Sequence, residues 1–474
     1  MCQTLLTMVL TSVQMLAGTA ASAADGLGLQ DGDVVVFLGD ELTDSPSPLN
    51  SDNYSVLVET FVTVRYPKLR VRWINAGWAD DTAGRALLRL DRDVLVHHPN
   101  LVVVCLGLND PEYLPFNEDK LLAFRRDLMA IVQRCREAST RVWLLSPPAI
   151  EEEKGRRGWV RRQGKPAAVD LQAIGYDATI ARYANTVREV AKATESGFVD
   201  WYGECKSALE KARRRNPSFG FTQDGRVPMA RGHALAAAAL LEAWGAQPIR
   251  VLIDLNWPKG QAHIETHAGT TTSVPVVITE DGKRILELSG LPLPWPMAGG
   301  QRGTLEADWE AARLCTFLFR MSQPPARGIA LQQQNPDGTS AQPLTISAAQ
   351  LQAGFNLATI EPLRSNAAVT RLFKLVGTKN YYRYGTWRKL QLSPPKEPEL
   401  AEAHRQLIAA WATYVRGCED IIFNLSNTFD ARLILAEATE PEQLWTRSPA
   451  AHQPPLAQPI PKTDRDQPPA PIEP

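Results

Sequence analysis

Val34-Val35-Val36-Phe37-Leu38-Gly39-Asp40-Glu41-Leu42-Thr43-Asp44 is an unbroken apolar run that stops at a glycine and enters an acidic loop. A strand with one wet face alternates; five consecutive large apolar residues predict a strand buried on both faces. Four further runs repeat the pattern, at 69–74, 101–106, 141–145 and 197–201. Amphipathic segments at 53–64, 82–95, 120–137, 171–194 and 232–244 separate or follow them and predict helices. Strict alternation of buried strands and helices predicts a parallel sheet covered on both sides. The expected fold is α/β, a three-layer α/β/α sandwich with a five-stranded parallel sheet of flavodoxin-like type. Such sheets hold ligands beyond the carboxyl ends of their strands. The residues to examine therefore follow Leu38, Ile74 and Leu106.

Composition narrows the function classes. Lys+Arg is 51 and Asp+Glu is 52 in 474 residues, a formal net charge of −1. A nucleic-acid binder carries a basic excess, so that class is set aside. Hydrophobic content of 44% and charged content of 22% are those of an ordinary globular protein. No stretch after the N-terminus approaches the ~20 apolar residues of a membrane span. No metal-ligand spacing and no cofactor fingerprint is present, so the expectation is no cofactor and no metal.

Four loops carry the chemistry. They are Gly39-Asp40-Glu41-Leu42 after the first strand, Asn75-Ala76-Gly77 after the second and Gly107-Leu108-Asn109-Asp110 after the third. The fourth, Asp224-Gly225-Arg226-Val227-Pro228, precedes the last helix. In this order and on this architecture, the stretch from Asp31 to Gly245 resembles the SGNH/GDSL hydrolase family of esterases and acylhydrolases. The resemblance implies an acyl nucleophile in the first block, where a Gly-Asp-Ser-Leu/Ile sequence is expected; here Glu41 stands at the Ser position. It implies that Gly77 and Asn109 are the oxyanion-hole donors, held by loops that also carry Asp40 and Gly107. It implies Asp224 as the triad acid. The general-base His position is Val227.

Ester cleavage on this fold needs a hydroxyl whose proton passes to an imidazole. Val227 neither accepts nor donates a proton, and a carboxylate is a weak nucleophile toward an unactivated ester. The expectation is a catalytically defective pseudo-esterase with a small-molecule or glycan ligand in the cleft. Glu41 is expected to turn inward and cap the Gly77 N–H and the Asn109 amide. Two alternatives stand beside it: an active ester hydrolase with an unorthodox site, and a glycosidase using Glu41 and Asp224 as paired carboxylates. Thr43, Ser45 and His233 are poor substitutes for the missing groups, the first two by register and the last as a structural residue of the following helix.

The remaining chain divides by texture. Residues 1–24 form an apolar segment ending in Ala21-Ser22-Ala23, a secretory signal pattern that predicts export to the periplasm or outside the cell. After its removal five scattered cysteines remain, an odd number that leaves a free thiol in an oxidising compartment. The SGNH-like domain is expected over 25–250. A β-rich module is expected over 251–365, with strands at 250–254, 272–278 and 284–288, a helix at 305–320 and a hairpin joining 328–331 to 343–346. A mainly helical segment follows over 366–447, in which Tyr381, Tyr382, Tyr384 and Trp387 suit an apolar seam between modules. Residues 448–474 contain nine of the 35 prolines and are expected to form a disordered, PPII-like tail whose partner the sequence does not name. The basic, Trp159-containing run at 156–162 reads as a solvated insertion at the rim of the cleft.

Overall fold

The computed structural model describes residues 26–44, 53–155, 158–162, 165–214, 216–295, 313–334, 338–340, 342–359, 367–383, 388–425 and 427–438. Residues 1–24, residues 305–312 of the expected helix, residues 448–474, Ser45, Tyr384 and Trp387 lie outside them.

The first seven strands are β1 (Val34–Gly39), β2 (Arg72–Gly77), β3 (Leu101–Cys105), β4 (Arg141–Leu145), β5 (Gly158–Arg162), β6 (Lys165–Val169) and β7 (Gly197–Val199). Five of them form an all-parallel sheet in the order β2-β1-β3-β4-β7. Within β1 the pleat divides the apolar run between two cores. Val35 and Phe37 enter the core under helices Tyr54–Arg65 and Ala230–Ala243, while Val34, Val36 and Leu38 enter the core under Glu118–Glu137 and Tyr176–Ala193. A strand buried on both sides has no polar side chain to spare, which is why the run reads as continuous. The expected α/β/α sandwich is the observed one. The 156–162 insertion contributes β5, which pairs with β6 as a two-stranded hairpin.

The strand order reverses at β1: the chain crosses to β2 on one side and returns to β3 on the other. Loops leaving β1 and β3 therefore diverge and open a crevice, the place where doubly wound sheets bind ligands.

Nine strands follow: β8 (Ile249–Asn256), β9 (Gln261–Thr266), β10 (Thr271–Ile278), β11 (Arg284–Pro292), β12 (Cys315–Ser322), β13 (Ile329–Gln334), β14 (Leu344–Ile346), β15 (Phe355–Asn356) and β16 (Thr428–Glu437). They form one sheet, β14-β13-β16-β11-β10-β9-β8-β12-β15, antiparallel except where β12 lies parallel to β8. Two readings from sequence are corrected here. The 305–320 segment was expected to be helical, but Cys315–Ser322 is a strand whose Cys315, Phe317, Phe319 and Met321 alternate into the core. The 366–447 segment, expected to be mainly helical, is helical over Ala367–Tyr381, Arg388–Leu392 and Ala401–Phe423, but the reading missed Thr428–Glu437, a central strand that buries Phe429, Ala431, Leu433 and Leu435 on one face. In both, a period of two was hidden by helix-forming neighbours, and pairing with a distant strand settled the conformation. The β13–β14 pairing and the β10–β11 hairpin stand where the sequence placed them.

Helix Ala367–Tyr381 returns to the first domain and packs on helix Tyr54–Arg65. There Lys379 and Glu59 form a fully buried ion pair. Burial outweighs the lysine and raises the Glu59 carboxyl above its usual range. A buried pair is costly to break from one side, because the survivor is left charged without a partner. Lys379→Met is expected to lower stability by about 3–5 kcal/mol in chemical denaturation, and Glu59→Leu with Lys379→Met to recover most of that loss. A single variant as stable as the native chain would contradict this.

Candidate active site

Three strand ends build the site. Glu41 follows β1, Asp80 and Asp81 follow β2, and Asn109 follows β3. Glu41 Oε2 accepts from Asn109 Nδ2 at 2.6 Å and from the Asp80 N–H at 3.1 Å. Asn109 is oriented by its other contacts: its Oδ1 accepts from Tyr113 Oη at 2.6 Å, and its Nδ2 also donates to the Asp81 carbonyl at 3.2 Å. An amide donor and a backbone N–H thus converge on one point, the arrangement that binds an oxyanion. Here the bound oxygen belongs to the protein.

The expectation that Glu41 turns inward onto Asn109 agrees with this geometry; the choice of Gly77 as second donor does not. The Gly77 N–H donates to Asn75 Oδ1 at 2.9 Å, and its carbonyl accepts from Arg388 Nη1 at 2.7 Å. Glycine is needed there for space, since a Cβ would lie 2.3 Å from the Asp44 nitrogen. The N–H that faces Glu41 is three residues on, at Asp80, whose φ of 64° turns its peptide into the cleft. Asp and Asn tolerate that left-handed conformation better than most residues. The turn Trp78–Asp81 is closed by the Asp81 N–H to the Trp78 carbonyl at 3.1 Å.

On the far side, Asp224 accepts through Oδ1 from the N–H groups of Arg226 and Val227, both at 2.9 Å. Arg226 lies between the two acids. Its Nη2 is 3.0 Å from Asp224 Oδ2, and its Nη1 is 3.8 Å from Glu41 Oε1. The same Nη1 donates to Tyr113 Oη at 2.7 Å. Carboxylates and the tyrosine hold the guanidinium cationic despite its burial. In a triad an imidazole would join nucleophile to acid; here a permanently charged guanidinium does so. Val227 is half-buried against the main core and offers the cleft no proton acceptor.

Other candidates for the missing base are placed elsewhere. His233 is buried between Tyr54 and Trp201, with ring centroids 6.3 and 5.6 Å away, and burial lowers its pKa to about 4. Thr43 Oγ1 bonds Tyr54 Oη at 2.9 Å inside the core. Among the described residues no group of three or more His, Cys, Asp or Glu side chains is placed to hold a metal ion. The five cysteines 105, 135, 205, 315 and 418 are unbridged and buried.

Beneath the site lie Arg89 and Asp110, to which the sequence reading gave no role, and Asp40 and Gly107, which it named as binding residues. Arg89 donates to the Ala76 carbonyl at 2.7 Å and the Gly39 carbonyl at 3.2 Å, and pairs with Asp81 at 2.7 Å. It ties the ends of β1 and β2 to the loop that presents Asp80. Gly107 has a φ of 111° at the turn from β3 toward Asn109, a conformation suited to glycine. Asp40 is wholly buried; its Oδ1 accepts from the Leu42 N–H at 2.9 Å, and burial followed by the Glu41 charge raises its pKa. Asp110 accepts from the Ala83 N–H at 2.8 Å, and burial raises its pKa to about 7.

An acid whose pKa is raised on folding binds more protons folded than unfolded between the two values, so stability falls as pH rises through that interval. For Asp110 the interval runs from 3.8 to about 7. Denaturation midpoints are expected to decline from pH 4 to pH 7, and Asp110→Asn is expected to flatten part of that decline. An unchanged slope in the variant would show that Asp110 is ionised throughout.

Comparison with known proteins agrees with this geometry. Residues 37–235 match the GDSL-like Lipase/Acylhydrolase family. An acetylxylan esterase of Geobacillus stearothermophilus is 24% identical over 234 residues, spanning 46% of this chain and 97% of the esterase. A crystal structure of that esterase covers 46% of this chain and 96% of its own at 24% identity, with a TM-score of 0.37. A gut microbial diltiazem-metabolizing enzyme is similar over 86% of this chain and 98% of its own, with 20% identity and a TM-score of 0.58. That last likeness extends the shared fold beyond the first domain to the nine-stranded sheet. The strand order, the converging donors and the family match together identify residues 37–235 as a domain of the GDSL-like lipase/acylhydrolase (SGNH hydrolase) family.

Proposed function

We propose that this chain is a catalytically silent member of its family, which binds an acylated carbohydrate in the cleft without cleaving it. The observation that carries the reading is the double hydrogen bond from Asn109 and Asp80 to Glu41. A donor pair already holding a carboxylate is closed to the oxyanion of a tetrahedral intermediate unless Glu41 swings away. Arg226, pinned by Asp224 and Tyr113, supplies no base to activate a nucleophile. Carbohydrate is the ligand class because one similar curated protein is an acetylxylan esterase. Export, inferred from residues 1–24, would bring such a protein to extracellular polysaccharide.

The glycosidase reading is less well supported. Paired acids that cleave acetals leave a gap of several ångströms for the scissile bond and a water. The Arg226 guanidinium bridges Glu41 and Asp224.

Initial rates of p-nitrophenyl acetate hydrolysis test the proposal. The native chain, Glu41→Ala and Asn109→Ala are expected to give no rate above buffer. Glu41→Ser with Val227→His restores a hydroxyl and an imidazole, and a general base contributes about 10²–10⁴-fold; a gain of about 10²-fold is expected. A native rate abolished by Asn109→Ala would establish an active esterase instead. Calorimetric titration with acetylated and unacetylated xylo-oligosaccharides tests the binding half, which fails if neither binds.

A further inference from the structure

Among the described residues, the 23-residue helix Ala401–Phe423 presents a face that no other element covers. Its inner side is anchored: Val415, Cys418 and Ile422 are buried and Trp411 stacks on Tyr382 with centroids 5.3 Å apart, while Tyr414, at the boundary, touches the same ring edge-on at 5.0 Å and leaves its other side exposed. On an adjacent face, Leu400 is 53%, Leu407 45%, Tyr414 48% and Ile421 47% exposed. These four recur every seven residues. Between them, at the alternating three-and-four spacing, lie Ala403, Ala410 and Gly417, also exposed. This is the seam of a coiled coil, and it contains no charged residue. A helix covered only by water on that side would be expected to carry polar residues there.

We propose that this seam is the interface of a homodimer, in which the same helix of a second copy packs antiparallel against it. The sizes of the side chains select both the occupant and the direction. In antiparallel register Leu407 of one copy meets Gly417 of the other, Tyr414 meets Ala410, and Ile421 meets Ala403. Every layer then sets a large residue into a small one, on both sides of a twofold axis. Parallel pairing would stack Leu407 on Leu407 and Tyr414 on Tyr414, and leave gaps at the alanines and Gly417. A Cβ at Gly417 would touch nothing within 4 Å, so the notch is open to receive a side chain. The flanking row Glu399, Gln406, Thr413 and Asp420 runs past itself in the antiparallel arrangement with Gln406 beside Asp420, so no like charges are opposed. The helix is about 35 Å long. Two such faces bury on the order of 1,000 Å² together, the lower bound for a stable interface.

Light scattering and sedimentation of the full chain at micromolar concentration test the inference. The expected mass is twice 52.3 kDa. Leu407→Glu and Ile421→Glu, both on the exposed face, are expected to halve that mass while circular dichroism and melting temperature stay unchanged. Oxidative trapping fixes the direction: a mixture of Leu407→Cys and Gly417→Cys chains should cross-link, and neither alone should. A native monomer, a dimer that survives both glutamates, or cross-linking of Leu407→Cys alone would each overturn the proposal. So would a chain that dimerises only after removal of residues 448–474, which would make the tail the occupant of the seam.

Discussion

The Asn109 amide and the Asp80 N–H point to one spot because β1, β2 and β3 end side by side where the strand order reverses. Two donors converging in a partly buried cleft carry a strong positive potential and need an acceptor. Water or a substrate oxygen can supply it. In this chain the acceptor is Glu41, two residues past the end of β1. The surrounding polar residues follow from that placement: Tyr113 fixes the Asn109 amide, Arg89 holds the Asp80–Asp81 loop, and Arg226 faces the other Glu41 oxygen.

The second half of the chain reaches the same loops. Arg388 donates to the Gly77 carbonyl, and its guanidinium lies 5.0 Å from the Trp78 ring centroid. The buried Lys379–Glu59 pair fixes the preceding helix to the helix that follows the Glu41 loop. The strand ends are therefore braced from within the first domain and from the C-terminal helices. The nine-stranded sheet anchors those helices by taking back β16 between β13 and β11. Rigidity at β2 matters because the Asp80 peptide must keep its left-handed turn for its N–H to face the cleft.

What could be read from the sequence was what is local. The run at 34–38 and its four counterparts are continuous because each strand is covered twice, and a pattern of that kind survives any tertiary context. Glu41, Asn109 and Asp224 were named because their loops resemble the blocks of the SGNH/GDSL family, and the fold brings all three to one place through Arg226. Gly77 misled because a glycine after a strand resembles a donor site, whereas its packing against the Asp44 backbone is visible only in three dimensions. Asp80 was missed because φ is not written in the sequence. Arg226 was named as a counter-charge without a geometry, and its place between the acids depends on Tyr113, more than a hundred residues away. The strands at 315–322 and 428–437 failed for the same reason, since their partners are distant in the chain.

The substitutions at the first and last loops are coupled by charge. A glutamate in place of a hydroxyl adds a negative charge above Asp40, whose carboxyl is already raised by burial and by Glu41. Asp224 adds another across the cleft. A neutral imidazole at position 227 would balance neither, whereas the Arg226 guanidinium faces both and cannot lose its proton. Once the arginine occupies that bridge, an imidazole has no acid to orient it and no nucleophile to serve. Valine then suits position 227, because the side chain there need only pack against the core. Glu41, Asp224 and Arg226 thus form a self-consistent set, in which the Asn109 and Asp80 donors and both carboxylates find partners within the protein. One fold hosts many activities, so what this site does rests on the chemistry of Glu41, Asn109, Asp224 and Arg226 and not on the sheet that carries them.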